Sequence, residues 1–238
     1  MKLDVAFLPQ EIAENNLSDA VCIVLDIFRA TTCIVTAFSN GCKTIIPVLS
    51  LVEAHRLAKQ AGSVLLAGER QSIKMDGCDM GNSPFEFSRT KVADQTVIMT
   101  TSNGTAAVKA TETAYCTLIG SFINAGAVCR EARRYEKNIV IVCAGTDRTF
   151  SLEDALCAGL LVQTLTETGE MILTDSAAGA LLMYQQAKSK ILEIAGNSRN
   201  GQRLRELNRL NEITYCLQTD LFPIVPHYSA GKISLAGE

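Results

Sequence analysis

The run Asp26-Ile-Phe-Arg29-Ala-Thr31-Thr32 places an acid, a permanent cation and two hydroxyls together. It follows Val21–Leu25, an apolar run that predicts a buried strand, and it leads into a helical pattern. In an open α/β sheet the carboxyl ends of the strands form the ligand edge. A carboxylate there can hold a hard divalent cation, and a guanidinium can grip an oxyanion. A helix start adds unpaired N–H groups. Together these would suit a metal-bound phosphate ester. The plainer use of the same residues is an ion pair at the sheet edge.

Similar polar segments follow other predicted strands. Val64–Ala67 runs into Glu69 and Arg70, a second acid beside a second arginine. Thr96–Met99 runs into Thr100-Thr101-Ser102-Asn103-Gly104-Thr105, where a glycine and a helix start favour an anion; the plain alternative is an ordinary helix cap. Gly81-Asn82-Ser83-Pro84 offers a Ser cap with Pro at the first helical position. Tyr115–Ile119 leads to Gly120, Ser121 and Asn124, and Ile139–Val142 leads to Cys143-Ala-Gly145-Thr146. Glu153 and Asp154 fall at the start of a further helix, where acids favour the dipole or add a third carboxylate to a metal. With only two histidines, Mg²⁺ suits these oxygen donors better than zinc or iron. The polar Gln71–Met80 segment reads as a loop that could lie over the site.

To bring those ends to one edge, the strands must lie parallel. Near-continuous apolar strands, including Leu3–Leu8 and Thr44–Val48, alternate with helical patterns at Thr32–Ser39, Leu51–Ala61, Pro84–Ser88, Thr105–Ala110 and Asn124–Arg134. That alternation predicts a three-layer α/β/α fold with a mostly parallel, mixed sheet. Periodicity leaves open whether Leu3–Leu8 and Tyr115–Ile119 are antiparallel. Beyond Cys143 the chain turns helical, with Leu152–Thr168, Ser176–Ala187 and Leu204–Thr219, and Ser151, Asp175 and Asn200 as start signals. Phe222–Val225 is the last strand-like piece. No linker or repeat divides the chain, so residues 1–238 read as one domain.

Hydrophobic residues make up 47% of the 238, charged residues 20%, and the net charge is −3. This supports a large core and argues against nucleic-acid or anionic-membrane partners. No apolar run reaches the ~20 residues of a membrane span, and no export signal is apparent. The nine cysteines lack metal spacing and read as reduced core thiols of a cytoplasmic protein. Cys143 and Arg148 only loosely match the Cys-x5-Arg loop of thiol phosphatases, and the P-loop and Gly-x-Ser-x-Gly signatures are absent. The apolar C-terminal helices could cover the core or a homodimer partner.

The ordered set of these motifs, extended by Cys216-Leu-Gln-Thr-Asp220 and Val225-Pro226, resembles the 2-phosphosulfolactate phosphatase (ComB) family over almost the whole chain. Phe28 and Ser102 depart from the family pattern without removing a charge. The resemblance implies a Mg²⁺-dependent phosphatase that cleaves 2-phospho-3-sulfolactate to 3-sulfolactate and phosphate in coenzyme M biosynthesis. Asp26, Glu69 and Asp154 are then the expected metal ligands, and Asp26, Arg29, Glu69 and Arg70 the expected catalytic set. Thr31, Thr32, Asn82, Thr101, Asn103, Gly104 and Thr105 would contact the substrate, with Ser83, Ser121 and Asn124 holding its non-reacting anions. Whether Asp26 is attacked to give a phosphoaspartate or only binds metal stays open. Two alternatives remain: a phosphatase for another 2-hydroxy-acid phosphate, and a non-catalytic anion-binding protein.

Overall fold

Val21, Ile23 and Leu25 enter one hydrophobic core while Cys22 and Val24 enter another, so a single apolar run serves both faces of a sheet. The computed structural model describes residues 1–12 and 17–235. In chain order the elements are β1 (Lys2–Ala6), β2 (Ala20–Leu25), α1 (Ala30–Ser39), β3 (Thr44–Pro47), α2 (Leu51–Ala61), β4 (Leu65–Arg70) and β5 (Ile73–Lys74). There follow α3 (Arg89–Val92), β6 (Thr96–Thr100), α4 (Gly104–Ala110), β7 (Cys116–Ile119), α5 (Ala125–Arg134) and β8 (Asn138–Cys143). The remainder is α6 (Leu152–Glu167), β9 (Ile172–Leu173), α7 (Asp175–Ala187), α8 (Ile191–Gly196), α9 (Arg199–Glu206), α10 (Leu210–Cys216), β10 (Pro226–Ser229) and β11 (Lys232–Leu235).

The strands form one mixed sheet in the order β5-β4-β6-β3-β11-β10-β7-β2-β8-β1-β9. Two parallel blocks, β4-β6-β3 and β7-β2-β8-β1, are joined by the β10–β11 hairpin, which runs antiparallel to β7 and β3. β1 is parallel to β8 and β9, and β7 is parallel to β2, which resolves the directions that periodicity left open. One face carries α1, whose residues Ala30–Phe38 are all buried against β2, β3, β6 and β7 and the hairpin. The other face carries α5, α6 and α7 over one block and α2 over the other. This is the three-layer α/β/α arrangement expected.

Two expectations need correction. Phe222–Val225 is not a strand: the Phe222 N–H donates to the Ile123 carbonyl and the Ile224 carbonyl accepts from Asn124, outside any ladder. The true strands flank a tight turn in which Ala230 and Gly231 both have positive φ, 48° and 78°. Leu204–Thr219 is not one helix. Asn208, at φ 58°, ends the first piece in the left-handed conformation that asparagine tolerates, and α10 starts anew.

The folding of the sheet determines the site. β6 and β2 have four strands between them, β3, β11, β10 and β7. Yet Gly104, just after β6, packs against Asp26, just after β2. The sheet therefore curls around α1 and brings the carboxyl ends of its two parallel blocks together.

Candidate active site

Asp26, Arg29, Glu69, Asn82 and Asn103 line one polar cleft at this edge, with Phe28, Gln71, Ser72, Ser102, Thr146, Asp147, Asn200 and Arg203. The space between these side chains, counted with its open mouth, is about 400 Å³.

Asp26 is held by the turn it begins. Its Oδ1 accepts from the Ala30 N–H at 3.2 Å, and its own N–H donates to Thr31 Oγ1 at 3.0 Å. A Cβ at position 104 would lie 2.7 Å from Asp26 Oδ2 and 2.6 Å from Ala30 Cβ, so only glycine lets α4 approach this closely. Burial pushes the Asp26 carboxyl up to about 7; Glu69 and Glu153 push the same way, while the Ala30 N–H and Arg29 oppose.

Glu69 accepts backbone N–H groups on both oxygens, from Ser72 at 2.8 Å and Ser102 at 2.7 Å. It thereby fastens the β4–β5 turn to the segment after β6. That turn is Gln71–Ser72, with φ of 53° and 63°, a conformation that suits glycine or asparagine. Arg29, 1% exposed, helps hold it: Nη2 donates to the Ser72 carbonyl at 3.0 Å, and Nη1 pairs with Glu212 at 2.5 Å. Arg209 donates to the same carbonyl at 3.1 Å. The buried Arg29 Nε and Asn82 Oδ1 have no partner among the described residues, and both side chains line the cleft. Buried polar atoms without a partner are uncommon in folded proteins, and two that line a cleft are placed to meet a ligand or water.

A second turn of the same kind closes the other side. Asp147 and Arg148 have φ of 49° and 61° between the reciprocal Thr146–Thr149 backbone bonds. The Asp147 N–H donates to Asn103 Oδ1 at 3.1 Å, joining the ends of β8 and β6.

Several residues singled out from the sequence lie away from the cleft and are occupied elsewhere. The Arg70 guanidinium donates to the Glu69 carbonyl at 2.7 Å and to Thr100 Oγ1 at 3.0 Å. Thr31 and Thr32 satisfy the carbonyls of Asp26 and Ile27 at the buried start of α1. The Thr32 hydroxyl also meets the Ser121 hydroxyl at 2.8 Å. Asn124 spans the Ser121 N–H and the Ile119 and Ile224 carbonyls. Thr101 and Thr105 bond to each other around the start of α4. Ser83 is buried beside the cleft residue Asn82 and is not itself part of the lining. Asp154 accepts from the Ile27 N–H at 2.8 Å and the Gly145 N–H at 3.1 Å beneath the cleft. Burial pushes its carboxyl well up, with Asp26 and Glu153 adding to the effect. Among the described residues no three His, Cys, Asp or Glu side chains are grouped to hold a metal. Cys143 is fully buried, and burial raises its thiol well above the ordinary value, unlike an activated nucleophile.

The sequence reading missed Asn200 and Arg203, because it began the helix at Leu204. The available signal was Ser198, a favoured cap residue, whose hydroxyl accepts from the Gly201 N–H at 3.1 Å.

Fold and cleft together define an α/β protein with a polar cleft at the carboxyl edge of its strands, the edge at which open α/β sheets bind ligands. The 2-phosphosulpholactate phosphatase family model matches residues 6–231, and the chain belongs to that family. A protein of Clostridium beijerinckii named "Probable 2-phosphosulfolactate phosphatase" is 35% identical over 237 residues, covering 98% of this chain and 99% of the relative. Proteins of the same name from Clostridium acetobutylicum and Clostridium botulinum are 36% and 37% identical, each covering 98% of this chain and 100% and 99% of the relative.

Proposed function

We propose that the protein is a Mg²⁺-dependent phosphoric monoester hydrolase that cleaves 2-phospho-3-sulfolactate with water to 3-sulfolactate and phosphate, a step of coenzyme M biosynthesis. The observation that supports this best is the convergence of Asp26, Arg29 and Glu69 in one cleft of a chain that matches the family over residues 6–231.

The donor set fits magnesium. Mg²⁺ is commonly held by one or two carboxylates, with substrate phosphate and waters completing the shell, and needs no preformed cage of three. Asp26 and Glu69, which line the cleft, would hold it here; Asp154 lies outside the lining, bonded to the Ile27 and Gly145 N–H groups of the turns after β2 and β8. When bound, the ion would supply charge neutralisation and polarisation of the phosphoryl oxygens.

The chain's own groups have distinct tasks. The ionised Asp26 carboxylate meets the reacting end of the ester. Arg29 offers its unpartnered Nε to a phosphoryl oxygen, its other two nitrogens being fixed by Glu212 and Ser72. Asn82 places its unpartnered Oδ1, an acceptor, in the same cleft, where it can accept from a water. Glu69 keeps the Gln71–Ser72 turn and the Ser102 backbone in register.

The nine cysteines form no disulfide among the described residues, which supports a reducing, cytoplasmic setting. Among the described residues no helix is long and apolar enough to cross a membrane. The test is phosphate release from 2-phospho-3-sulfolactate, 2-phospholactate and phosphoglycolate, with Mg²⁺ and with chelator. Release that needs the metal and is fastest with the sulfonated ester is expected; no release from any ester would refute the reading.

A further inference from the structure

The cleft holds a second guanidinium that the chemistry above does not use. Arg203, on α9, lines the cleft and is half-buried, yet its side chain makes no hydrogen bond or ion pair with the described residues. The other cleft arginine differs: Arg29 is tied to Glu212 and to the Ser72 carbonyl.

The placement of Arg203 is fixed by the turn of helix before it. Arg199 pairs with Asp147 at 2.6 Å, and Asn200 donates to Thr146 Oγ1 at 2.7 Å and to Glu153 Oε1 at 2.8 Å. Residues three and four positions apart share a helix face. Fastening Arg199 and Asn200 to the 146–149 turn therefore aims Arg203 over the same cleft. A half-buried guanidinium has given up part of its hydration, and its planar fork matches an oxyanion. Asp147, the acid of that wall, is already paired with Arg199.

We infer that Arg203 is the specificity-determining residue that receives a non-reacting anion of the substrate, its sulfonate or carboxylate, while Asp26, Arg29 and Glu69 face the phosphoryl group. This rests on the functional reading above for the identity of the ligand. It also separates the anions differently from the sequence reading, because Ser121 and Asn124 are consumed in the α5 start.

The test measures equilibrium binding of 3-sulfolactate and of inorganic phosphate to the full chain with Mg²⁺, in the parent protein, Arg203→Met and Arg203→Lys. Loss of a charge-assisted contact should weaken 3-sulfolactate roughly 10- to 100-fold in the methionine variant and less in the lysine variant. Phosphate affinity and melting temperature should stay nearly unchanged. If 3-sulfolactate fails to bind the parent, binds all three proteins alike, or weakens together with phosphate, the inference is overturned. Binding is read without hydrolysis, so an inactive parent that binds 3-sulfolactate through Arg203 refutes the phosphatase reading alone. Turnover of 2-phospholactate identifies the partner: a methionine effect that vanishes with this ester assigns the sulfonate, and one that persists assigns the carboxylate.

Discussion

Asp26→Asn should make the metal-free protein more stable while destroying its activity. The carboxyl is 8% exposed, and burial moves it from its ordinary 3.8 to about 7. Between those values the native state keeps a proton that the unfolded chain has lost. Stability therefore falls as pH rises from about 4 to about 7 and stays lowered above it. The two values put the cost of the ionised side chain at about 4 kcal/mol, taking about 1.4 kcal/mol for each pH unit. Asparagine keeps the acceptor for the Ala30 N–H and cannot ionise. Allowing for relaxation, the chelated variant should gain roughly 2–4 kcal/mol at pH 8, about 5–10 °C in melting temperature, and about 1–2 kcal/mol at pH 5. The assay is thermal unfolding of both proteins in EDTA at the two pH values, beside Mg²⁺-dependent phosphate release. A variant that melts at or below the parent at pH 8, or a difference independent of pH, would refute the idea that the site stores a desolvated carboxylate.

Three further outcomes follow from the same contacts. Gly104→Ala would drive a methyl group into Asp26 and Ala30 and should cost about 1–3 kcal/mol in denaturant unfolding, with turnover falling further than stability alone explains. Glu212→Gln removes the carboxylate from a buried arginine and should cost about 3–5 kcal/mol, raising KM as Arg29 and the Gln71–Ser72 turn loosen; an unchanged melting curve would show that the pair is dispensable. Cys143→Ala should keep most of the phosphatase activity, because the thiol is buried, protonated and outside the cleft; a dead but folded variant would restore the thiol mechanism.

The parts of the fold legible in the sequence were those with a local signature. The apolar runs ending in Asp26, Glu69, Thr100 and Cys143 are strands, and their ends do share an edge. Their meeting depends on the curl of the sheet across the β10–β11 hairpin that lies between the parallel blocks. That hairpin is short and half polar, and an adjacent Phe-Pro-Ile-Val run offered a stronger apolar signal. The hydroxyls misled for a related reason. Thr31, Thr32, Ser121 and Asn124 look like ligand donors, but they satisfy buried backbone groups and one another at the starts of α1 and α5. Arg203 left only an indirect trace, the Ser198 cap that starts its helix. It matters through a tertiary contact, the bonding of Arg199 and Asn200 to the 146–149 turn, that no spacing encodes.

Phosphate release from 2-phospho-3-sulfolactate by the parent protein, Asp26→Asn and Glu69→Gln, each titrated with Mg²⁺, tests whether these two carboxylates hold the metal at the reacting ester. Saturable, metal-dependent release is expected from the parent, none from Asp26→Asn, and a strongly raised Mg²⁺ requirement for Glu69→Gln. Release by the parent that is indifferent to chelator, or a folded Asp26→Asn protein with full activity, would contradict it.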